Sequence, residues 1–145
     1  MSSLQSRYEA LTGSNPIAPA FLRRLETELG VSLPASFVAA AAFFDGTGMA
    51  LPPLHPMDGG ASGNVLAETQ RLRGAVNLPR RFLVLAEPSE GLVVLDCEGG
   101  QVIWCDASDV PGLEDGRFAR QSDTWAQFSD FVEYLVEQEE AWGAS

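Results

Sequence analysis

At 145 residues, with 46% apolar side chains spread from end to end, the chain has the size and composition of one folded domain and not of a disordered segment. Its net charge of −11 repels phosphate backbones, which argues against direct nucleic-acid binding. No basic n-region followed by an apolar run opens the chain, and no stretch approaches the ~18 apolar residues of a membrane span, so a cytoplasmic protein without membrane contact is expected.

The opening residues MSSLQSRYEALTGSNP carry no strong pattern, and 1–14 read as a loosely ordered tail of a single 1–145 domain. After Asn15 and Pro16, Ile17, Phe21, Leu25 and Leu29 recur every four residues until Gly30 supplies a stop, which predicts an amphipathic helix. Leu33 and Pro34 open a second helix, with Ser32 as its cap and Phe37, Ala41 and Phe44 facing inward up to the Asp45-Gly46 break. The stretch GTGMALPPLHPMDGGASGN predicts a loop, with a short edge strand near 49–51, in which a functional site could sit. Residues 65–72 read as a third helix, ended by Asn77-Leu78-Pro79.

From Arg81 the period changes. FLVLAE, GLVVLD and QVIWCD are short β-branched and aromatic runs separated by turn residues, which predicts an antiparallel meander. A two-residue Gly99-Gly100 turn sets Leu95 opposite Trp104 and Asp96 opposite Ile103, with Cys97 and Cys105 on opposite faces. A three-residue loop sets Cys105 opposite Val93 and puts both thiols on one face, roughly 13 Å apart along the strand, beyond disulfide reach. Two thiols without nearby histidines make no zinc site either, so reduced structural cysteines are expected, with no metal and no cofactor.

Residues 107–121 read as an acidic loop. Thr124 with Gln127 forms a capping-box pattern before a last helix bearing Phe128, Phe131, Val132 and Leu135, with Glu133, Glu137, Glu139 and Glu140 on its outer face and end. The expected fold is α+β, an antiparallel sheet of at least three to four strands packed against N-terminal helices and a C-terminal helix.

Several of these patterns occur in the order seen in the SUKH superfamily of small α+β domains, which includes bacterial immunity proteins and regulators of cell-wall assembly. LRRLETELGVSLPASF, with Leu29-Gly30 and Leu33-Pro34, resembles that family's opening helix, Leu-Gly turn and Leu-Pro start of a second helix. FFDGTG, with Asp45 and Gly46, is similar to its aromatic-Asp-Gly break, and NLPRRFLVLAEPSEGLVVLD, with Leu78 and Pro79, to its Leu-Pro lead into a strand pair. GGQVIWCDASD, with Trp104 and Asp106, resembles the strand that ends Trp-x-Asp, and TWAQFSDFVEYL the closing helix, so the likeness spans 17–136. The family often carries a Gly pair near the start of its second strand, where this chain has only Glu90-Gly91, which leaves the subgroup open. The resemblance implies a cytoplasmic antidote that blocks a toxin domain, often a nuclease, or a regulatory module of the same fold with an endogenous protein partner; the sequence leaves the oligomeric state open, with a monomer favoured.

Charge agrees with that implication. All nine basic residues are Arg; residues 1–83 hold seven of them against six acids, whereas 84–145 hold two against fourteen. Such a half steers a basic toxin domain toward itself, although acidity that serves only solubility is the competing reading. The partner-binding candidates are Asp96, Glu98, Asp106, Asp109, Glu114, Asp115 and Glu137. Asp96 and Asp106 emerge at strand ends, where each either turns the chain locally or faces a partner. Asp109, Glu114 and Asp115 cannot all pair with Arg117 and Arg120, so they face solvent or a partner. The run Glu137, Glu139, Glu140 reads as a solvated face, yet negative charge at a helix C-terminus costs a few tenths of a kcal/mol, which favours a functional reason.

Trp104, inside an apolar strand, is expected on the core face in preference to serving as a partner-facing anchor. An enzyme would need His55, the only histidine, as a base for Ser62 or a cysteine; no spacing supports this, and no catalytic residue is assigned. DGGASGN lacks the Lys and the spacing of a phosphate loop.

Overall fold

The computed structural model describes residues 3–144. The first element contradicts the expected tail: Ser3–Thr12 is a helix, α1. Its Tyr8 is fully buried, with its ring 4.9 Å from that of Phe44 and its hydroxyl donating to the Thr47 carbonyl at 2.9 Å. One buried aromatic per three turns is a weak periodic signal, and the helix is held by these distant contacts more than by propensity.

The next helix, α2 (Pro19–Leu29), begins three residues later than Pro16, with Pro19 in its first turn. Residues 13–18 are held instead by the chain ahead, Asn15 N–H donating to Phe43 O and Ile17 N–H to Ala41 O, each at 2.8 Å. Phe21, Leu25 and Leu29 form its buried stripe, and Gly30 ends it at φ 68, a left-handed conformation that a side chain would resist. Helix α3 is short (Ala35–Ala40) and opens at Pro34 without a side-chain cap, so Ser32 does not cap it. Phe37, Ala41 and Phe44 are buried as the spacing required.

The Gly/Pro segment forms a loop with only one bridge, Ala50 to Pro53, in place of an edge strand. Helix α4 (Val65–Ala75) runs past the expected end at 72 and is capped by Asn64, whose side-chain oxygen accepts from Ala67 N–H at 2.9 Å. Thr69 is buried on it, donating its hydroxyl to Val65 O and accepting Val84 N–H at 2.9 Å. In this way α4 covers an outer strand that would otherwise present open backbone groups.

Four antiparallel strands, β1 (Phe82–Ala86), β2 (Gly91–Asp96), β3 (Val102–Asp106) and β4 (Asp123–Trp125), lie in the order β1-β2-β3-β4. The register settles on neither expected turn. Leu95 pairs with Val102 and Leu92 with Cys105, leaving a four-residue connection, 97–100. Asp96 is the reason: its Oδ1 accepts Glu98 N–H at 2.9 Å and its carbonyl accepts Gly100 N–H at 2.7 Å, which builds a wider turn. Cys97 then packs with the helix-side core and Cys105 with the opposite one, and both are free thiols.

The sheet is buried on both faces, which is why its strands read as continuous apolar runs and not as alternation. Leu83, Leu85, Val93, Leu95 and Val102 meet the helices in the larger core. Phe82, Val84, Leu92, Val94, Ile103 and Cys105 form a second core with Leu72, Leu78, Val110 and Leu113. The supposed acidic loop is therefore a cover, beginning with a 3-10 turn at Ala107–Gly112. Finally α5 (Phe128–Ala144) buries Phe128, Phe131, Val132, Leu135 and Val136. Thr124 is not its cap but pairs with Ile103 in β4; Asp130 Oδ2 accepts Gln127 N–H at 3.2 Å, and Ser36 Oγ of α3 accepts Ser129 N–H at 2.9 Å. No described helix is long and apolar enough to cross a membrane.

Candidate protein-binding surface

The carboxylates singled out by sequence divide between the two ends of the sheet. At the end where β1 starts and β2 finishes, Asp96 is 1% exposed, and its Oδ2 accepts Arg81 Nη2 at 3.0 Å. Burying a carboxylate is tolerable only with such partners, so Asp96 is a structural clamp and faces no partner. Glu98 and Glu114 are exposed beside it, 3.8 and 3.6 Å from Arg81 Nη1, so one guanidinium gathers three carboxylates.

Asp109 is likewise turned inward. It is buried, and its two oxygens accept Ala119 N–H at 3.1 Å and Arg120 N–H at 3.0 Å, fastening the cover over the second core. Asp115 stays exposed and pairs with no cation among the described residues. On α5, Glu133, Glu137 and Glu140 form one stripe directed at Arg7 of α1. Glu140 binds Arg7 with both oxygens at 2.7 and 3.1 Å, Glu133 lies at 3.8 Å, and Glu137 adds its charge. Glu139 accepts Ala50 N–H at 2.8 Å. These contacts supply the structural reason for acids at that helix end.

At the opposite end of the sheet the side chains gather around Trp104. It stands in β3 between Val93 of β2 and Asp123 of β4, half-buried against the larger core. Gly91 makes room for it: a Cβ there would approach Trp104 Nε1 to 3.0 Å and Pro88 Cγ to 3.2 Å. No described residue accepts a hydrogen bond from that indole N–H. On one side of the ring opens a cleft of about 560 Å³ walled by Leu51, Pro52, Pro53, Pro88 and Tyr134. On the other side a cleft of about 360 Å³ is lined by Glu90, Asp106, Gln121 and Asp123.

Glu90 and Asp123 form no ion pair with a described residue. Asp106 is held by Ser108, through N–H at 2.9 Å and Oγ at 2.6 Å, with Arg120 Nε at 3.5 Å. Those hydrogen bonds, and to a lesser degree Arg120, hold its carboxyl below the usual value. Sequence reasoning named Asp106 and Trp104 but passed over Leu51, Pro88, Glu90, Asp123 and Tyr134. The proline-rich loop was the only signal, since the rest converge from separate elements.

His55 sits nearby in a different role. Its Nε2 lies 2.9 Å from Glu87 Oε2, while Arg71 Nη2 reaches both Glu87 oxygens at 2.6 Å and its Nε reaches Glu68 at 2.8 Å. His55, Glu68 and Glu87 lie close enough to hold a metal ion, their ligand atoms within 4.8 Å of one another. The guanidinium of Arg71 already serves as the cation among them, so a metal would have to displace it. Burial pushes Glu87 up, but the hydrogen bonds from Arg71 and His55 outweigh it and hold the carboxyl below its ordinary value. Burial, with Asp96 beside it, pushes the Cys97 thiol up to about 12; burial, with Asp109 and Asp106, pushes Cys105 up to about 11. Neither is a thiolate at neutral pH, so neither is an activated nucleophile.

No protein-family model matches this chain, and no curated protein matches it. A further cleft, about 650 Å³ between α3, the start of α5 and Gly99-Gly100, is lined by uncharged residues, most of them small, with Leu4 and Phe43, and carries no comparable chemistry.

Proposed function

We propose that this chain is an immunity-type binding protein that works in the cytoplasm as a monomer and neutralises a basic toxin domain by covering its working surface. The observation that carries this reading is the fate of the arginines. Six of the nine find partners within the same chain, Arg7, Arg24, Arg71, Arg81 and Arg120 in carboxylates and Arg73 in the carbonyls of Leu29 and Arg80. Each carboxylate pair takes up an acid as well as an arginine, so the excess of twenty acids over nine arginines still sets an acidic outward field, net −11. A toxin that grips phosphates must present Lys and Arg, and a complementary acidic surface speeds docking and occupies that grip. The same field makes nucleic acid itself an unfavourable partner. The ordered likeness to SUKH domains supports the reading from an independent direction.

The test is affinity capture of the tagged protein from its native lysate at low salt, with mass spectrometry of what is released at high salt. A basic toxin fragment whose activity is blocked on rebinding supports neutralisation. An endogenous regulator or cell-wall enzyme, with no inhibition of any toxin, assigns the chain to the regulatory class of the same fold instead.

A further inference from the structure

We infer that the cleft at Trp104 is where the partner docks, and that it takes an extended segment in which an apolar residue stands next to Arg or Lys. The inference rests on the protein-binding reading above and adds to it a place and a recognition chemistry. The two clefts share Trp104 and Ser89 as their common wall, so a chain crossing the indole enters both. On one side Leu51, Pro53 and Tyr134 offer apolar surface, with Leu51 41% exposed. Such surface favours an aliphatic or proline side chain at about 25 cal/mol per Å² removed from water.

On the other side of the shared Trp104 wall, Glu90 and Asp123 pair with no cation among the described residues, and Asp106 is only partly matched by Arg120. No arginine lines either cleft. An apolar ligand alone would leave these carboxylates poorly solvated under it, whereas a cationic neighbour pairs with them. The indole N–H of Trp104 supplies the remaining element, a donor without a described acceptor that can take a backbone carbonyl of the bound segment. A half-buried tryptophan beside an apolar pocket and a charged rim is the usual make-up of an interface hot spot.

The experiment titrates the ¹⁵N-labelled full chain with the blocked peptide Ala-Arg-Leu-Pro-Arg-Ala and, as control, with the same peptide carrying Glu in place of both Arg. Binding in the millimolar range is expected for so short a probe. The basic peptide should shift the Trp104 indole signal and the Gly91 and Asp123 amides saturably, and the acidic one should not. Trp104→Phe, which keeps an aromatic in the strand, should weaken binding about tenfold. The exposed pair Glu90→Arg with Asp123→Arg should abolish it without unfolding the protein.

Equal response to both peptides overturns the inference, because charge then plays no part. Salt-sensitive shifts confined to another face also overturn it, while leaving the acidic binding reading intact. If no signal moves, the cleft is not a docking site, and the wider reading stands or falls on the captured partner alone.

Discussion

The two ends of one sheet use the same residue types for opposite purposes. At the Arg81 end, Asp96 is buried, Glu98 and Glu114 crowd the same guanidinium, and the charges close upon themselves. At the Trp104 end, Glu90 and Asp123 face an open cleft beside an aromatic whose N–H meets no acceptor among the described residues. Acidity alone therefore says little about binding. What separates a clamp from a recognition surface is whether a cation of the same chain reaches the carboxylate, and whether the backbone turns it in or out.

That contrast can be broken most forcefully at the clamp. Asp96→Ala strips a buried acceptor from Arg81 and from the turn at Glu98, and should lower stability by about 2–3 kcal/mol in urea denaturation, less than for a fully buried pair because Arg81 is partly solvated. A loss below about 1 kcal/mol would mean that this end is no clamp. Asp109→Ala removes the acceptor of two backbone N–H groups over the second core and should cost about 2 kcal/mol, with faster amide exchange at Ala119 and Arg120. Unchanged exchange there would return the cover segment to the status of a mere loop.

Gly91→Ala probes the other end. The added methyl meets Trp104 and Pro88, so a loss of about 1 kcal/mol and a change in tryptophan emission are expected. A smaller effect concerns pH. Glu87 titrates below its ordinary value of 4.5 when folded, so its contribution is complete above the unfolded value and is lost as pH falls through the folded one. Glu87→Gln should accordingly flatten the fall in thermal midpoint below about pH 4.5, and an unaltered slope would remove the Arg71–Glu87–His55 link from the account. Least of all should Glu90→Arg with Asp123→Arg disturb the fold, within about 0.5 kcal/mol in the same denaturation assay, because both residues are exposed and neither forms an ion pair among the described residues. A large loss there would show that the Trp104 end is structural after all.

Local pattern was enough for the α+β class, the stripe of α2 with its stop at Gly30, the apolar strands and the buried face of α5, because burial periodicity and turn chemistry are written within a few residues of chain. Helix α1 escaped it because its stability comes from Phe44, Thr47 and Glu140, residues 36 to 133 positions away in the chain. The turn at 97–100 escaped it because a buried Asp96, paired to Arg81 across the sheet end, chose a wider loop than its glycines suggested. Asp96, Asp106 and Asp109 look alike in sequence, each an acid near the end of an apolar or turn-forming run. Only tertiary structure decided that two of them are turned inward while Asp106 joins Glu90 and Asp123 around Trp104, since a carboxylate's role depends on which donors the fold brings within about 3 Å of it.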